Sequence, residues 1–390
     1  MFCLSYLTWT YKQREQHRSI KQQNQISMKR FSILLAAALI AVTAQAQNFP
    51  GQRRSPNDTL QSVKVNPDKS VTFQIYAPEA KNVQLSGDLA WGNERAKFTK
   101  NSEGVWTATL KNDKVSIFRY GFIVDGVAVN DPKAKVSRDM PPYVAVDPDG
   151  TAFWAMKDVP HGAVSQIYYK STTFDRTKSM HIYTPPGYNQ IDKLPVLYLI
   201  HGGGENDFVW TTVGRANFIM DNLLAEKKCV PMIVVMPDGG VGMNVEKFTD
   251  EMMNDIIPYV EDNYKVFKDN EHRAVAGLSM GGLETLDISL KNYKSFAYVF
   301  PMSTGWFSDS PAYAQWEPYL KEHAQEMNKY FKVYKFFMGG EEDIAYKNGL
   351  KTLETFKKCG VKHEYSEMHG GHSWYVWRDN LHDLAQQLFK

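Results

Sequence analysis

The chain has 390 residues, of which 43% are hydrophobic and 23% are charged, and its formal net charge is +2. This composition is typical of a folded globular protein and excludes a disordered or fibrous chain, and the length allows two domains. The first 46 residues hold six lysines and arginines against one glutamate, so the remainder carries a net charge of −3. A nucleic-acid-binding protein would need a basic excess there, so we expect no nucleic-acid partner.

The segment 28–46, MKRFSILLAAALIAVTAQA, has the pattern of a secretory signal peptide. Two basic residues precede an apolar run, and an Ala-Gln-Ala cleavage sequence ends it. The run is shorter than the roughly 20 residues that a bilayer-spanning helix needs, so we expect a secreted or periplasmic protein with no membrane segment after cleavage. We interpret 1–27 as a doubtful upstream extension before a true start at Met28, and 47–59 as a polar linker.

Residues 60–147 predict an all-β domain. Short alternating runs such as SVTFQIYAP, GVWTATL and IFRYGFIVDG are separated by turn residues, with no helical period between them. Several short strands at regular spacing predict a small β-sandwich. The following link, 148–165, contains Phe153, Trp154 and Met156, and we expect these apolar side chains to pack the sandwich against the rest of the chain.

In residues 166–390 the pattern changes to alternating strands and helices. Two runs, SQIYYKST and SMHIYTPPGY, predict an antiparallel pair of strands. Apolar runs such as LPVLYLI, VPMIVVM and HRAVAGL then alternate with helical stretches, which predicts an α/β fold with a mostly parallel sheet and helices on both faces. Functional residues of such sheets follow the carboxyl ends of the strands, where most polar and glycine-rich stretches of this half lie.

Two cysteines remain after the signal segment, Cys229 and Cys359, each where a helix ends before a strand. An oxidising compartment would permit a disulfide between them. The alternative is two small buried thiols, since the sequence does not say whether the two residues are close enough to bridge.

The stretch VAGLSMGGLE predicts a nucleophile elbow at Ser279. The serine follows a strand, HRAVAG, and precedes a helix, which is the setting that a G-x-S-x-G nucleophile needs. A serine hydroxyl also needs a base, and the base needs an orienting carboxylate. His372 lies on a glycine loop before the last helix, and Asp343 follows the preceding strand. The order Ser, Asp, His is that of α/β-hydrolases, so we predict a Ser279–His372–Asp343 triad.

Neighbouring residues offer alternatives for two of these roles. Glu341 or Glu342 could replace Asp343 as the orienting carboxylate, and His369 could replace His372 as the base. The two histidines could also bind a metal. A catalytic zinc needs three protein ligands, and no third ligand is evident nearby, so we expect no metal and no other cofactor.

The loop HGGGENDFVW follows the first parallel strand and predicts part of an oxyanion hole. Backbone N–H groups at such a site stabilise the developing oxyanion by about 3 kcal/mol each. We predict the N–H groups of Met280, directly after the nucleophile, and of Gly203 as the two donors. Trp210, Trp306 and Trp374 also follow strand ends. They are candidates for stacking on a sugar or a phenolic acyl group, with simple packing as the alternative.

From about residue 166 to the C-terminus the chain resembles the esterase D group. Within that group it is most similar to the first carbohydrate esterase family, which holds feruloyl esterases, acetylxylan esterases and mycolyltransferases. The runs YTPPGY, PVLYLIHGGGENDFVW, GLSMGG, GGEED and GGHSWYVWR carry the resemblance. It implies an α/β-hydrolase fold with the orienting aspartate three residues after a glycine, which here is Asp343 after Gly340.

The predicted sandwich resembles the early-set immunoglobulin-like modules of glycan-active enzymes, through the run VTFQIYAPEAKNVQLSGDLAW. It departs from their pattern where DLAW replaces an aspartate-phenylalanine-asparagine run before the tryptophan. The module is therefore expected either to contact carbohydrate or only to support the cleft.

Together these resemblances imply a serine esterase that acts on acylated plant cell-wall polysaccharide or oligosaccharide, with feruloyl ester cleavage ahead of acetyl removal. The alternatives are a siderophore (enterobactin-type) esterase and a catalytically dead glycan-binding protein. The sequence leaves open the acyl group, the natural glycan, the oligomeric state and whether the acyl group passes to water or to a sugar.

Overall fold

The computed structural model describes residues 56–90, 96–131, 133–134, 142–240, 242–307 and 310–390. The signal peptide expected at 28–46 and the extension expected at 1–27 lie outside these residues. The chain divides into two units, Met1–Thr59 and Leu60–Lys390. In the first, a 3₁₀ turn spans Pro56–Asp58. No helix in the described ranges is both long enough and apolar enough to cross a membrane.

The first part of Leu60–Lys390 is the expected β-sandwich. Its strands are β1 (Val63–Val65), β2 (Val71–Tyr76), β3 (Val83–Gly87), β4 (Thr99–Lys100), β5 (Val105–Leu110), β6 (Ser116–Val124), β7 (Val127–Val129) and β8 (Tyr143–Val146). One antiparallel sheet has the order β1-β2-β5-β4, and in the other β3, β7 and β8 all pair with β6. Alternate residues of β2 are buried, which is the pattern of a strand with one face on a core.

The second part of the unit contains one sheet of eight strands. They are β9 (Ala163–Ser171), β10 (Arg176–Thr184), β11 (Val196–Ile200), β12 (Ile233–Pro237), β13 (Arg273–Leu278), β14 (Tyr298–Met302), β15 (Val333–Met338) and β16 (Glu364–Glu367). Their order is β16-β15-β14-β13-β11-β12-β10-β9. The pairings β9–β10 and β10–β12 are antiparallel and the others are parallel, as the sequence predicts.

Helices cover both faces of this sheet, which confirms the expected α/β-hydrolase architecture. They are α1 (Val209–Thr212), α2 (Ala216–Ala225), α3 (Val245–Glu251), α4 (Ile257–Asn263), α5 (Met280–Lys291), α6 (Pro311–Ala314), α7 (Trp316–Tyr330), α8 (Tyr346–Cys359) and α9 (Trp374–Ala385). A π-helical turn, Met252–Ile256, joins α3 to α4. Short 3₁₀ turns span Tyr188–Gln190, Asn270–His272 and Tyr293–Ser295.

Two apolar clusters lie on opposite sides of the sheet. In β11, Tyr198 and Ile200 belong to the first cluster and Leu197 and Leu199 to the second, because successive side chains of a strand point to opposite faces. Helices α3, α4, α5, α7 and α8 contribute to the first cluster, and α1, α2 and α9 contribute to the second. Continuous burial of both faces explains why the parallel strands read as unbroken apolar runs.

The sequence left open whether Cys229 and Cys359 form a disulfide, and in the structure both are free thiols. Cys229 lies in the second apolar cluster and Cys359 packs against the first, so the sheet separates them. The thiol of Cys359 donates to the carbonyl oxygen of Glu317, at 3.6 Å.

The link between the sandwich and the eight-stranded sheet is packed, as its aromatic residues predict, with one exception. Trp154 is 3% exposed, and its ring lies 5.6 Å from the guanidinium of Arg378 on α9. Asn222 on α2 donates to the carbonyl oxygen of Phe153, at 2.7 Å. Met156, however, was expected to contribute to this packing and does not, since it is 69% exposed. The link is therefore anchored by its aromatic residues and its backbone.

Asp255, in the π-helical turn, ties the helical layer to the turn between β9 and β10. Its carboxylate accepts hydrogen bonds from the backbone N–H and the hydroxyl of both Thr172 and Thr173, at 2.5–3.0 Å. Burial alone would raise the pKa of Asp255, but the hydrogen bonds from these two threonines lower it to about 2. The ionised carboxylate therefore stabilises the folded state.

We expect Asp255→Asn to lower the free energy of unfolding at pH 7 by about 2 kcal/mol, because a depressed folded pKa is linked to stability. This stabilisation is present above the ordinary aspartate pKa and is lost as pH falls towards the folded value. Urea unfolding at pH 7 and pH 3 should therefore show a smaller difference between variant and wild type at pH 3. Asp175→Asn, at an exposed position of the same turn, is the matched control and should change little. An equal loss of unfolding free energy at both pH values would contradict this link between the pKa of Asp255 and stability.

Candidate active site

Ser279 occupies a sharp turn between β13 and α5. Its φ is 54° and its ψ is −114°, a conformation that is uncommon for any residue other than glycine. The flanking glycines permit the turn. A Cβ on Gly277 would lie 2.1 Å from the carbonyl oxygen of Gly281, and a Cβ on Gly281 would lie 2.3 Å from that of His201. The backbone thus excludes side chains on both sides of Ser279 and holds the serine at the carboxyl edge of the sheet.

The side chains of Ser279, His372 and Asp343 form one hydrogen-bonded line. The distance from Nε2 of His372 to Oγ of Ser279 is 2.9 Å, and that from Nδ1 of His372 to Oδ1 of Asp343 is 2.7 Å. A carboxylate can only accept, so the network assigns the ring proton to Nδ1 and leaves Nε2 as an acceptor for the serine hydroxyl. This is the arrangement that activates a serine for nucleophilic attack.

Asp343 is 3% exposed and yet remains ionised. Burial alone would raise the pKa of Asp343, but hydrogen bonds from His372, Ser303 and the backbone N–H of Ala345 lower it below its ordinary value. Ser303 also accepts from Nε1 of Trp377, at 2.9 Å, and the Trp377 ring packs edge-on against the imidazole of His372, with centroids 5.0 Å apart. Sequence reasoning missed Ser303, since a lone serine after a strand has no distinguishing pattern.

The alternative residues for the base and the orienting carboxylate lie elsewhere. The side chain of His369 is 83% exposed and lies 3.6 Å from Glu342, which accepts a hydrogen bond from the backbone of the same glycine loop. Glu341 is exposed. Among the histidines in the described residues, His372 is the one that contacts Oγ of Ser279. No group of three or more His, Cys, Asp or Glu side chains in these residues is placed to hold a metal ion.

Gly203 and Met280, the residues predicted to supply the oxyanion donors, are neighbours in the fold. A Cβ on Gly203 would be 3.0 Å from Cγ of Met280, the first residue of α5. The N–H of Met280 is one of the free donors at a helix N-terminus, where the helix dipole also favours negative charge. His201, which sequence reasoning passed over, supports the loop. Its Nδ1 donates to the carbonyl oxygen of Gly202 at 2.8 Å, and its Nε2 lies 3.1 Å from the backbone nitrogen of Gly239 and 3.3 Å from Oδ1 of Asp238.

The three tryptophans considered as substrate contacts are buried. Trp306, Trp374 and Trp210 are 6%, 4% and 1% exposed. Trp306 stacks on Trp316 with ring centroids 5.3 Å apart, and Trp374 packs edge-on against Trp210 at 4.9 Å. A ring stacks on a sugar or an aromatic acyl group through an exposed face. Their burial therefore favours the packing role, the alternative that the sequence left open.

Three other apolar side chains are exposed at the carboxyl edge of the sheet. Met243 follows β12, Phe307 follows β14 and Ile344 follows β15, and their exposed fractions are 66%, 45% and 82%. Ser279, His372 and Asp343 lie at the same edge, where α/β proteins bind their ligands. Sequence reasoning missed these residues because a single exposed apolar residue in a loop is common and carries no pattern.

Two family models match the chain. The model of the Esterase family, described as "Putative esterase", matches residues 171–388. The model of carbohydrate-binding module 48, the isoamylase N-terminal domain, matches residues 62–144. The first range covers most of the α/β part and the second covers the β-sandwich.

A curated relative, the endo-1,4-beta-xylanase/feruloyl esterase of Xylanibacter ruminicola, is 32% identical over 352 residues. The match covers 84% of this chain and 46% of the relative, so the chain spans less than half of that protein's length.

Among solved structures, a mutant of the feruloyl esterase module from Clostridium thermocellum, complexed with sinapinate, is 25% identical with a TM-score of 0.54. That match covers 62% of this chain and 92% of the module. The enterobactin esterase of Shigella flexneri has a TM-score of 0.59 and covers 82% of this chain and 93% of its own. At 16% identity, this likeness shows the fold alone.

Proposed function

The chain belongs to the Esterase family, and from that premise we propose that it is an exported serine esterase that removes acyl groups from plant cell-wall polysaccharide, cleaving feruloyl esters ahead of acetyl esters. The observation that carries the proposal is the hydrogen-bonded line from Asp343 through His372 to Oγ of Ser279. The signal-peptide pattern at 28–46 supports export.

In the first half of the proposed reaction, Oγ of Ser279 attacks the carbonyl carbon of the ester, and its proton moves to Nε2 of His372. Asp343 stays ionised and stabilises the imidazolium. The N–H groups of Met280 and Gly203 donate hydrogen bonds to the developing oxyanion. When the tetrahedral intermediate collapses, the ester C–O bond breaks and the sugar hydroxyl leaves with the proton from Nε2.

In the second half, water takes the place of the sugar. It gives a proton to Nε2 of His372 and attacks the acyl-enzyme carbonyl, and the same backbone donors stabilise the second oxyanion. Release of the carboxylic acid returns the proton to Oγ of Ser279. No step requires a metal or a redox cofactor, since each step transfers only protons and the acyl group.

The proposed preference for an aromatic acyl group is supported by three observations. The Xylanibacter ruminicola relative carries feruloyl esterase in its name, and the similar module from Clostridium thermocellum is complexed with sinapinate. The exposed side chains of Met243, Phe307 and Ile344 offer apolar surface at the carboxyl edge of the sheet, which suits a planar aromatic group. We propose these three residues, and not the buried tryptophans, as acyl contacts.

A hydrolysis panel of methyl ferulate, acetylated xylan and a cyclic catechol trilactone tests the proposal. We expect kcat/KM to be highest on methyl ferulate, with measurable release of acetate from xylan. Fastest hydrolysis of the trilactone would instead identify a siderophore esterase. A folded protein that hydrolyses none of the three, nor a nitrophenyl ester, would contradict esterase function and favour glycan binding alone.

A further inference from the structure

One carboxylate oxygen joins the β-sandwich to a loop and to the start of a helix at the candidate active site. Oε1 of Glu205, in the loop after β11, lies 3.0 Å from Nη1 of Arg119 on β6. The same oxygen accepts a hydrogen bond from Nε1 of Trp374, the first residue of α9, at 2.9 Å. We call these three side chains the bridge: Arg119, Glu205 and Trp374.

Glu205 and Trp374 lie directly next to the residues that carry the chemistry. Glu205 follows the glycine loop 202–204, and its N–H donates to the carbonyl oxygen of Gly202, at 3.3 Å. Trp374 follows His372 by two residues, and its ring packs edge-on against Trp377, with centroids 5.3 Å apart. Trp377 in turn packs against the imidazole of His372. A shift of the bridge would therefore move both the oxyanion loop and the base.

Arg119 makes three hydrogen bonds to Asp88 on its own side of the bridge. Its guanidinium donates to both carboxylate oxygens of Asp88, at 3.2 Å each, and its backbone N–H donates to the same side chain at 2.8 Å. Burial alone would lower the pKa of Arg119, but the carboxylates of Asp88 and Glu205 raise it, so the guanidinium stays charged. In the described part of the chain, Arg119 is the one cation that pairs with Glu205.

Neighbouring residues of the sandwich contact α9 as well, so the bridge belongs to a continuous interface. The ammonium of Lys114 lies 5.2 Å from the centroid of the Tyr375 ring. The guanidinium of Arg378 donates to the hydroxyl of Ser116 on β6. Ile117, the next residue of β6, is 2% exposed and belongs to the same apolar cluster as α9. The sandwich thus contacts the helix that begins immediately after the base.

We propose that the β-sandwich is a positioning element for the esterase reaction, in which Arg119, acting through Glu205, fixes the oxyanion loop relative to the loop that carries His372. The inference rests on the proposed serine esterase function. Neither Arg119 nor Glu205 contacts the reacting atoms, so both are positioning residues. The physical reason for an effect on rate is that a displacement of about 1 Å in such a site can cost on the order of 100-fold.

The test compares Arg119→Ala, Glu205→Ala and the double variant on nitrophenyl acetate, a substrate too small to need a glycan-binding surface. We expect each single variant to lower kcat by about 10- to 100-fold with KM within about threefold of wild type. Because both residues act through one bridge, the double variant should be no slower than the slower single variant. Rates are measured well below the melting temperature of each variant, so that loss of folded protein does not contribute.

Lys64→Ala, at an exposed position on β1 in the other sheet of the sandwich, is the matched control and should leave kcat unchanged. If Arg119→Ala does not fold, Arg119→Lys carries the test. A lysine keeps the charge but lacks the planar fork that engages Asp88 and Glu205 together, so kcat should again fall several-fold.

Three outcomes would overturn the inference while leaving the esterase function intact. They are a kcat within twofold of wild type for the Arg119 variant, a loss confined to KM, and losses that multiply in the double variant. Each requires that wild type be active and Ser279→Ala be inactive in the same assay. If wild type itself does not hydrolyse the ester, the proposed function fails, and that failure is distinct from failure of the bridge.

Discussion

Ser279→Ala is expected to lower kcat on a nitrophenyl ester by at least about 10³-fold. The substitution removes the Oγ that lies 2.9 Å from Nε2 of His372, and the remaining oxyanion donors stabilise charge but supply no nucleophile. The measurement is kcat on purified protein, with the melting temperature recorded beside it. Because alanine lacks only the Oγ of serine and the glycines that permit the turn are unchanged, we expect the variant to fold.

A second readout makes this prediction independent of turnover. A fluorophosphonate probe should label wild-type protein at Ser279 and add one adduct, located by peptide mass spectrometry. Ser279→Ala should take up none. Hydrolysis within tenfold of wild type, or labelling of a different serine, would refute the assignment of the nucleophile.

His372→Ala is expected to lower kcat to a similar degree, by about 10³-fold. In contrast, kcat of His369→Ala should stay within about twofold of the wild-type value. The two histidines lie on one glycine loop and form a matched pair for mutation. His372 reaches both Ser279 and Asp343, while the side chain of His369 is 83% exposed and pairs with Glu342. Loss of an exposed side chain usually has little effect.

The pH profile of kcat/KM strengthens the comparison. The His369→Ala profile should overlay that of wild type, because the base that titrates is unchanged. Equal losses of kcat in the two variants, or an altered pH profile in His369→Ala alone, would contradict the assignment of His372 as the base.

Several structural elements could be predicted from the sequence, and others could not. The turn at Ser279 was predictable because its glycines, its preceding apolar strand and its following helix are all local features. The same holds for the antiparallel pair β9–β10 and for the alternating strands of the sandwich. The short edge strands β1, β4 and β7 were not predicted, since runs of two or three residues show no period.

Residues whose role depends on long-range packing were harder to place. Trp306, Trp374 and Trp210 follow strand ends, as expected, but their rings turn into the core. An aromatic side chain suits a core and a binding surface equally well, so its position in the chain cannot choose between them. Glu205 gave no signal at all, since its importance comes from Arg119 and Trp374, which are distant in sequence.

By itself, the sequence determined the fold class and the candidate triad of this protein. The physical reason is that apolar period sets strands and helices, and parallel strands bring their carboxyl ends, with Ser279, Asp343 and His372, to one edge of the sheet. Only the tertiary structure decided which side chains are exposed at that edge. It also decided that the sheet separates Cys229 from Cys359 and that the sandwich contacts α9. Those outcomes depend on close packing between segments that are far apart in the chain. There, the shape of a side chain and the residues that pack against it decide whether it is buried, and the local sequence pattern does not.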